Sequence, residues 1–184
     1  MGSSLKGKLL VATPVIGDPN FERTVVLILE HNEEGALGVV LNRPSDVEVL
    51  GPLPEWDRFT AHPSVVFVGG PVSREAVIAL ARVRPGVEEP AGMPVGDQIA
   101  AVDLNRDPDE VASRVEAVRF FAGYAGWGPG QLEGEIEAGA WFVVEALPGD
   151  TFAADPEQLW RRVLRRQGGT TAMFANFPDD PRHN

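Results

Sequence analysis

The segment Thr24 to Glu30 (TVVLILE) constrains this chain more than any other. It is too short and too rich in β-branched residues for a core helix, so it reads as a strand. Its near-continuous apolar run implies burial on both faces, which requires covering elements on either side of the sheet. Asn32-Glu33-Glu34-Gly35 reads as a turn, and Leu37 to Asn42 (LGVVLN) as the returning strand. The pair is expected to be a β-hairpin with a loop longer than the tightest kind. Upstream, Lys8 to Thr13 (KLLVAT) is a strand, and Pro14 to Arg23 is a loop with turn chemistry at Gly17-Asp18-Pro19-Asn20. Within that loop, an Asp18–Arg23 pair is expected to staple Phe21 into the core.

Further along, Ser45 to Pro63 reads as a polar, Pro-rich segment anchored by Trp56 and Phe59. Val65 to Gly69 is a strand, followed by a helical turn at Ser73 to Ala76 and a strand at Val77 to Val83. Arg84 to Gly96 is a Pro/Gly loop, and Ile99 to Leu104 is another strand. Three helices have clear signals. Asp107, Pro108 and Glu110 form a capping box, with Val111, Val115 and Val118 at helical spacing. Pro129 opens and Gly139 closes a second helix, with Leu132 and Ile136 on one face. Asp155 to Gln158 is a capping box for a third, which stops at Gly168 and buries Leu159, Trp160, Val163 and Leu164. Arg119 to Tyr124 and Ala140 to Leu147 are strands between them. Hairpins early and helix-separated strands late predict an α+β fold: a single domain with a mixed, largely antiparallel sheet and about three flanking helices. That domain covers 1–168, and 169–184 is expected to be a loosely ordered tail.

Composition restricts the chemistry. With no cysteine there is no disulfide, zinc-thiolate or thiol catalysis. No apolar run is long enough to cross a bilayer, and Met1 to Lys8 lacks a signal-peptide stretch, so a cytoplasmic location is expected. Acids outnumber bases 27 to 16, for a net charge of −11. Duplex binding draws on cations that neutralise phosphates, so nucleic acid is disfavoured as a partner. The one dense basic stretch, Arg161-Arg162 with Arg165-Arg166, reads as a solvated helix face. The three histidines show no metal-ligand spacing, and no cofactor fingerprint occurs, so neither a metal nor a cofactor is expected.

The most information-rich segment is Gly123-Tyr124-Ala125-Gly126-Trp127-Gly128-Pro129-Gly130-Gln131-Leu132-Glu133. It reads as a glycine-dense corner between a strand and a helix. A phosphate cradle there is opposed by Pro129, which removes a donor, and by Glu133, Glu135 and Glu137. Arg43 in Asn42-Arg43-Pro44 can grip a carboxylate or phosphate with two hydrogen bonds, or pair with a loop acid. Gly69-Gly70-Pro71 is a second turn at a strand end, where α/β folds place ligands. His31 can act as a general base, or simply hold a turn. A cleft is therefore expected from Arg23, His31, Asn42, Arg43, Gly69, Gly70, Pro71, Tyr124, Gly126, Trp127, Gln131 and Glu133.

The motifs Gly7-Lys8-Leu9-Leu10-Val11-Ala12-Thr13-Pro14, Asp18-Pro19-Asn20-Phe21-Glu22-Arg23-Thr24-Val25, Glu30-His31, Leu41-Asn42-Arg43-Pro44, Val68-Gly69-Gly70-Pro71-Val72 and Gly123-Tyr124-Ala125-Gly126-Trp127 recur in one order. Their order and spacing resemble the AlgH/YqgE family of bacterial proteins. The resemblance implies an α+β domain with a mixed sheet. Members carry the label of transcriptional regulator, with no activity generally assigned. This chain departs from the family pattern in three ways. Val77 to Arg82 lacks a histidine often found there, Ala138-Gly139-Ala140 replaces the usual asparagine before Trp141, and the cysteine of some members is missing.

Three readings of function follow. The first is a non-catalytic binding or regulatory module for an unknown small molecule or protein, without membrane involvement. The second is an enzyme with His31 or Glu133 as acid/base. The third is a direct DNA-binding regulator, which the charge disfavours.

Overall fold

A computed structural model describes residues 4–87 and 92–176. Along these residues the strands are Leu9–Ala12 (β1), Val25–Asn32 (β2), Gly35–Val40 (β3), Pro44–Glu48 (β4), Val65–Val68 (β5), Val72–Val83 (β6), Met93–Gly96 (β7), Ile99–Val102 (β8), Val115–Trp127 (β9) and Trp141–Val144 (β10). The helices are Pro108–Ala112 (α1), Gln131–Glu137 (α2), Pro148–Thr151 (α3), Leu159–Gln167 (α4) and Gly169–Met173 (α5), with short 3₁₀ turns at Pro54–Phe59, Pro156–Gln158 and Phe174–Asn176. The main sheet runs β10-β1-β2-β3-β9-β6-β8-β7, and a branch of β4 and β5 joins it at β9. All strand pairs are antiparallel except β5 with β9. This is the mixed, largely antiparallel α+β architecture that the sequence predicts.

The sheet buries both faces because apolar residues fill both phases of its strands. On β1 and β2, Leu9, Val11, Val25, Leu27 and Leu29 enter a central core, while Leu10, Ala12, Val26 and Ile28 enter a second core behind it. Helix α4 closes the central core with Leu159, Trp160, Val163 and Leu164, the stripe expected from its spacing. Each such side chain contributes roughly 1.5–3 kcal/mol on burial. Helix α2 covers the second core with Leu132. The 3₁₀ turn at Trp56 and helix α1 at Val111 cover a third core, on the other side of β6, β8 and β9.

The sheet is strongly curled. Trp127 on β9 and Trp141 on β10 stand four strand places apart. At about 4.8 Å per place a flat sheet would separate them by roughly 19 Å. Their ring centroids lie 6.1 Å apart, so β1 to β3 bend to bring them into contact, and Phe21 packs against both, at 6.2 Å from Trp127 and 5.6 Å from Trp141. The curl also brings the two ends of the sheet together. At Gly7, ahead of β1, an added Cβ would lie 2.9 Å from the Val95 carbonyl oxygen of β7.

Several elements differ from the sequence-based expectation. The β2–β3 loop is the tight kind, because Asn32 pairs with Gly35 and its Oδ1 accepts from the Glu34 N–H at 2.8 Å. Residues 44–48, expected as loop, form β4 against β5. The helical turn expected at Ser73 to Ala76 is strand, bulged so that Val72 and Val77 face Tyr124 and Ala122. Part of the loop expected from Arg84 to Gly96 is β7, and 88–91 lie outside the described residues. Helix α1 ends at Ala112, so Val115 and Val118 belong to β9, where pairing with β6 overrides their helical spacing. The corner expected at Gly123 to Trp127 is a continuation of β9. Asp155 makes no cap, since its carboxylate instead pairs with Arg162. Of the tail expected to be loose, Gly169 to Asn176 is helical and seals Ala175 and Phe174 against the central core. The remainder, 177–184, lies outside the described residues.

Candidate functional site

The loop before β2 is held from below and above. Phe21 packs against both Trp127 and Trp141, and the Arg23 guanidinium lies 4.9 Å over the Trp160 ring. Asp18 turns the loop by accepting from the Asn20 N–H at 2.9 Å. The Arg43 guanidinium, read as gripping a carboxylate or phosphate or as pairing with a loop acid, donates to the loop carbonyls of Asn20 at 2.6 Å, Glu22 at 3.0 Å and Pro19 at 3.1 Å. Burial lowers its pKa from the usual arginine value, and Glu22 and Asp18 oppose that shift. Asn42 extends the sheet beyond β3: its Oδ1 accepts from the Val25 N–H at 3.0 Å and its Nδ2 donates to the Arg23 carbonyl at 2.9 Å. Both residues therefore tie the loop and the start of β2 to the end of β3.

The glycines of the second turn sit where backbones nearly touch. The Gly69 N–H donates to the Ala122 carbonyl, and the Gly69 carbonyl accepts from the Val40 N–H, both at 2.8 Å. A Cβ on Gly70 would meet the Tyr124 carbonyl at 2.2 Å, and one on Gly123 would meet the Gly70 oxygen at 2.6 Å. The link from β5 through Pro71 to β6 is thus packed backbone against backbone on β9. These glycines and Tyr124 are brought together, but with main chain rather than open space between them. A Cβ on Gly126 would be no closer than 3.8 Å to the Tyr124 ring.

At the C-terminal end of β9, Glu135 organises the tryptophans. Its Oε1 accepts from Trp127 Nε1 and from Trp141 Nε1, each at 3.0 Å, and its Oε2 accepts from Gln131 Nε2 at 3.0 Å. Gln131 Oε1 in turn accepts from the Gly128 N–H at 3.0 Å. Helix α2 is docked by this chain of bonds. His31 lies beside it: Nδ1 accepts from the Leu5 N–H at 2.9 Å, and Nε2 faces Glu133 Oε1 at 3.5 Å. The accepting Nδ1 places the ring's proton on Nε2. His31 and Glu133 are therefore together, but Arg43 is not with them. His31 stands six residues along β2 from Val25, where Asn42 binds, which is roughly 20 Å at strand rise.

One buried polar residue escaped the sequence reading. Arg119 on β9 is 0 % exposed, and burial pushes its pKa down to about 10. Its Nη1 donates to the carbonyls of Ala153 at 2.9 Å and Thr151 at 3.1 Å, and its Nη2 to that of His62 at 2.7 Å. Its guanidinium stacks 4.4 Å over Phe67. No carboxylate joins it among these contacts. A lone arginine in an apolar strand carries no sequence signal of such burial.

The basic face of α4 is largely engaged within the molecule. Arg166 grips Asp150 through both nitrogens at 2.6 Å, Arg162 pairs with Asp155, and Arg161 lies 5.9 Å over Trp160. Among the described residues no group of three or more His, Asp or Glu is placed to hold a metal ion, and no helix is long and apolar enough to cross a membrane.

A concavity of mixed chemistry lies elsewhere, at the seam where the curled sheet brings the approach to β1 against the β7–β8 turn. It has a volume of about 230 Å³ and is lined by Lys6, Lys8, Leu27, Asp97, Ile99 and Thr151, together with Gly7, Gly96 and residues 145–148. Lys8 pairs with Glu145 across one wall.

The chain is similar to known proteins over most of its length. The family model described as AlgH-like matches residues 9–172. A UPF0301 protein of Streptomyces coelicolor is 54 % identical over 187 residues, covering 99 % of this chain and 96 % of that protein. A UPF0301 protein of Mycobacterium avium is 47 % identical over 182 residues, covering 97 % and 90 %. Among solved structures, a Corynebacterium diphtheriae protein superposes with a TM-score of 0.90 at 36 % identity, covering 96 % of this chain and 94 % of that one. The AlgH protein of Pseudomonas aeruginosa superposes with a TM-score of 0.71 at 29 % identity, covering 98 % and 97 %.

Proposed function

The chain belongs to the AlgH-like family, and from that premise we propose that it is a non-catalytic binding or regulatory module of the cytoplasm. The observation that carries this reading is the state of His31. A general base needs a free lone pair facing its substrate, and the Nδ1 lone pair of His31 is already taken by the Leu5 N–H. Of the other polar groups weighed for the cleft, Arg43 is engaged with three carbonyls and Gln131 with Glu135 and the Gly128 N–H, while Glu133 faces His31. A cysteine-free composition suits a reducing compartment. Direct DNA binding draws no support from a net charge of −11 or from arginines paired with Asp150 and Asp155.

The test is to incubate the full chain with a pooled metabolite extract and follow both the protein-bound and the free fractions by mass spectrometry. The expected result is that a compound co-elutes with the protein and that none is consumed. Consumption of a compound that stops in His31→Ala or Glu133→Gln would establish an enzyme instead.

A further inference from the structure

The seam groove has the makings of a ligand site, and of the family motifs Gly7-Lys8 forms part of its wall. Its floor is apolar, with Leu27 and Ile99 from two strands that are distant along the sheet. Lys6 and Asp97 reach it from separate elements, the approach to β1 and the β7–β8 turn, and neither makes an ion pair among the described residues. Lys6 and Lys8 are the only lysines of this acidic chain, and both line this one groove. Lys8 is neutralised by Glu145, which leaves one cation and one anion free to face an occupant. Thr151 adds a polar group: it is 2 % exposed, lines the groove, and its hydroxyl makes no hydrogen bond among the described residues.

Size narrows the occupant. Pockets for drug-sized ligands run to roughly 300–1,000 Å³, and this one holds about 230 Å³. Lining charges that sum to zero, with one free charge of each sign over an apolar floor, match a small zwitterion with an apolar body. We propose that the groove binds a free apolar α-amino acid, with its carboxylate on Lys6, its ammonium on Asp97, and its side chain over Leu27 and Ile99. The Thr151 hydroxyl meets the carboxylate. The inference rests on the binding-module reading and names the ligand of that module. Because the groove joins the start of β1 to the β7–β8 turn, occupancy ties together the two ends of the curled sheet.

Isothermal titration of the full chain with L-leucine and L-phenylalanine tests this, with isoamylamine and 4-methylpentanoate as analogues lacking one charge each. The expected result is saturable binding of the amino acids and binding weaker by about tenfold or more for each analogue, the worth of one charge-assisted hydrogen bond. Lys6→Ala should weaken leucine to the level of isoamylamine, and Asp97→Asn to the level of 4-methylpentanoate. Both are exposed positions, and circular dichroism checks that the variants stay folded. No saturable binding of either amino acid, or binding indifferent to both substitutions, would overturn the proposal. If the metabolite experiment meanwhile retains another compound that ignores Lys6 and Asp97, the amino-acid class falls while the binding module stands. If nothing is retained by either route, both fall.

Discussion

Glu135 shows how one carboxylate can fix the shape of a sheet. Its Oε1 accepts from two indoles that stand on strands four places apart, so it holds the curl at its narrowest point. Replacing it by leucine leaves both indole N–H groups without an acceptor, at about 1–3 kcal/mol for each unsatisfied donor. Glu135→Leu is expected to lower the unfolding free energy by about 2–4 kcal/mol, and Glu135→Gln, which keeps an acceptor, by clearly less. Urea titration followed by tryptophan fluorescence measures both, and equal losses in the two variants would show that the bridge is not the source. In the sequence Glu135 reads only as one of three acids that repel a phosphate, because its distance from Trp127 and Trp141 depends on the curl. Arg119 was illegible for the same reason: nothing local distinguishes a strand arginine in solvent from one that is 0 % exposed. Arg43 was legible as a bidentate donor, but its acceptors are loop carbonyls that only the folded loop presents.

Among the elements, those with covalently local signals were legible. The stripe of α4, the Pro–Gly limits around α2 and the doubly buried β2 each follow from a few neighbouring residues. The segments misread were those whose state is set by a partner. β4 forms because β5 lies beside it, and Val115 and Val118 join β9 because β6 pairs along them. The glycines of β9 looked like a corner, whereas Gly123 is there to let the β5–β6 link approach. The contact makes a sharp expectation. Gly70→Ala places a methyl 2.2 Å from the Tyr124 carbonyl group, with φ at +157°, and should abolish soluble folded protein or lower stability by more than about 3 kcal/mol. Gly130→Ala also has a positive φ, of 73°, but a Cβ there meets nothing within 4 Å, so it should cost only about 1–2 kcal/mol. Differential scanning fluorimetry of the two compares steric clash with backbone preference alone, and equal melting temperatures would contradict the close approach.

At the scale of the whole molecule, the division of labour runs between the motifs and the seam. Most motifs that carry the AlgH-like resemblance build the curl: Phe21 against the tryptophans, Arg43 and Asn42 at the start of β2, Gly69, Gly70 and Gly123 at the branch of the sheet, while Gly7-Lys8 reaches the seam. The α+β class and the mixed sheet were legible, since they follow from the alternation of apolar runs and turn signals. The groove was not, since Lys6 and Asp97 lie far apart in the chain and share a groove only because the curl brings the approach to β1 near the β7–β8 turn. The measurement that addresses this division most directly is amide chemical-shift mapping on isotope-labelled full-length protein during titration with L-leucine. The expected perturbations gather at 6–8, 96–99 and 145–151 and leave 42–44, 69–71 and 124–131 in place. Perturbations centred on Arg43, Gly70 and Trp127, with the seam silent, would contradict the account and return those loops to the role of a cleft.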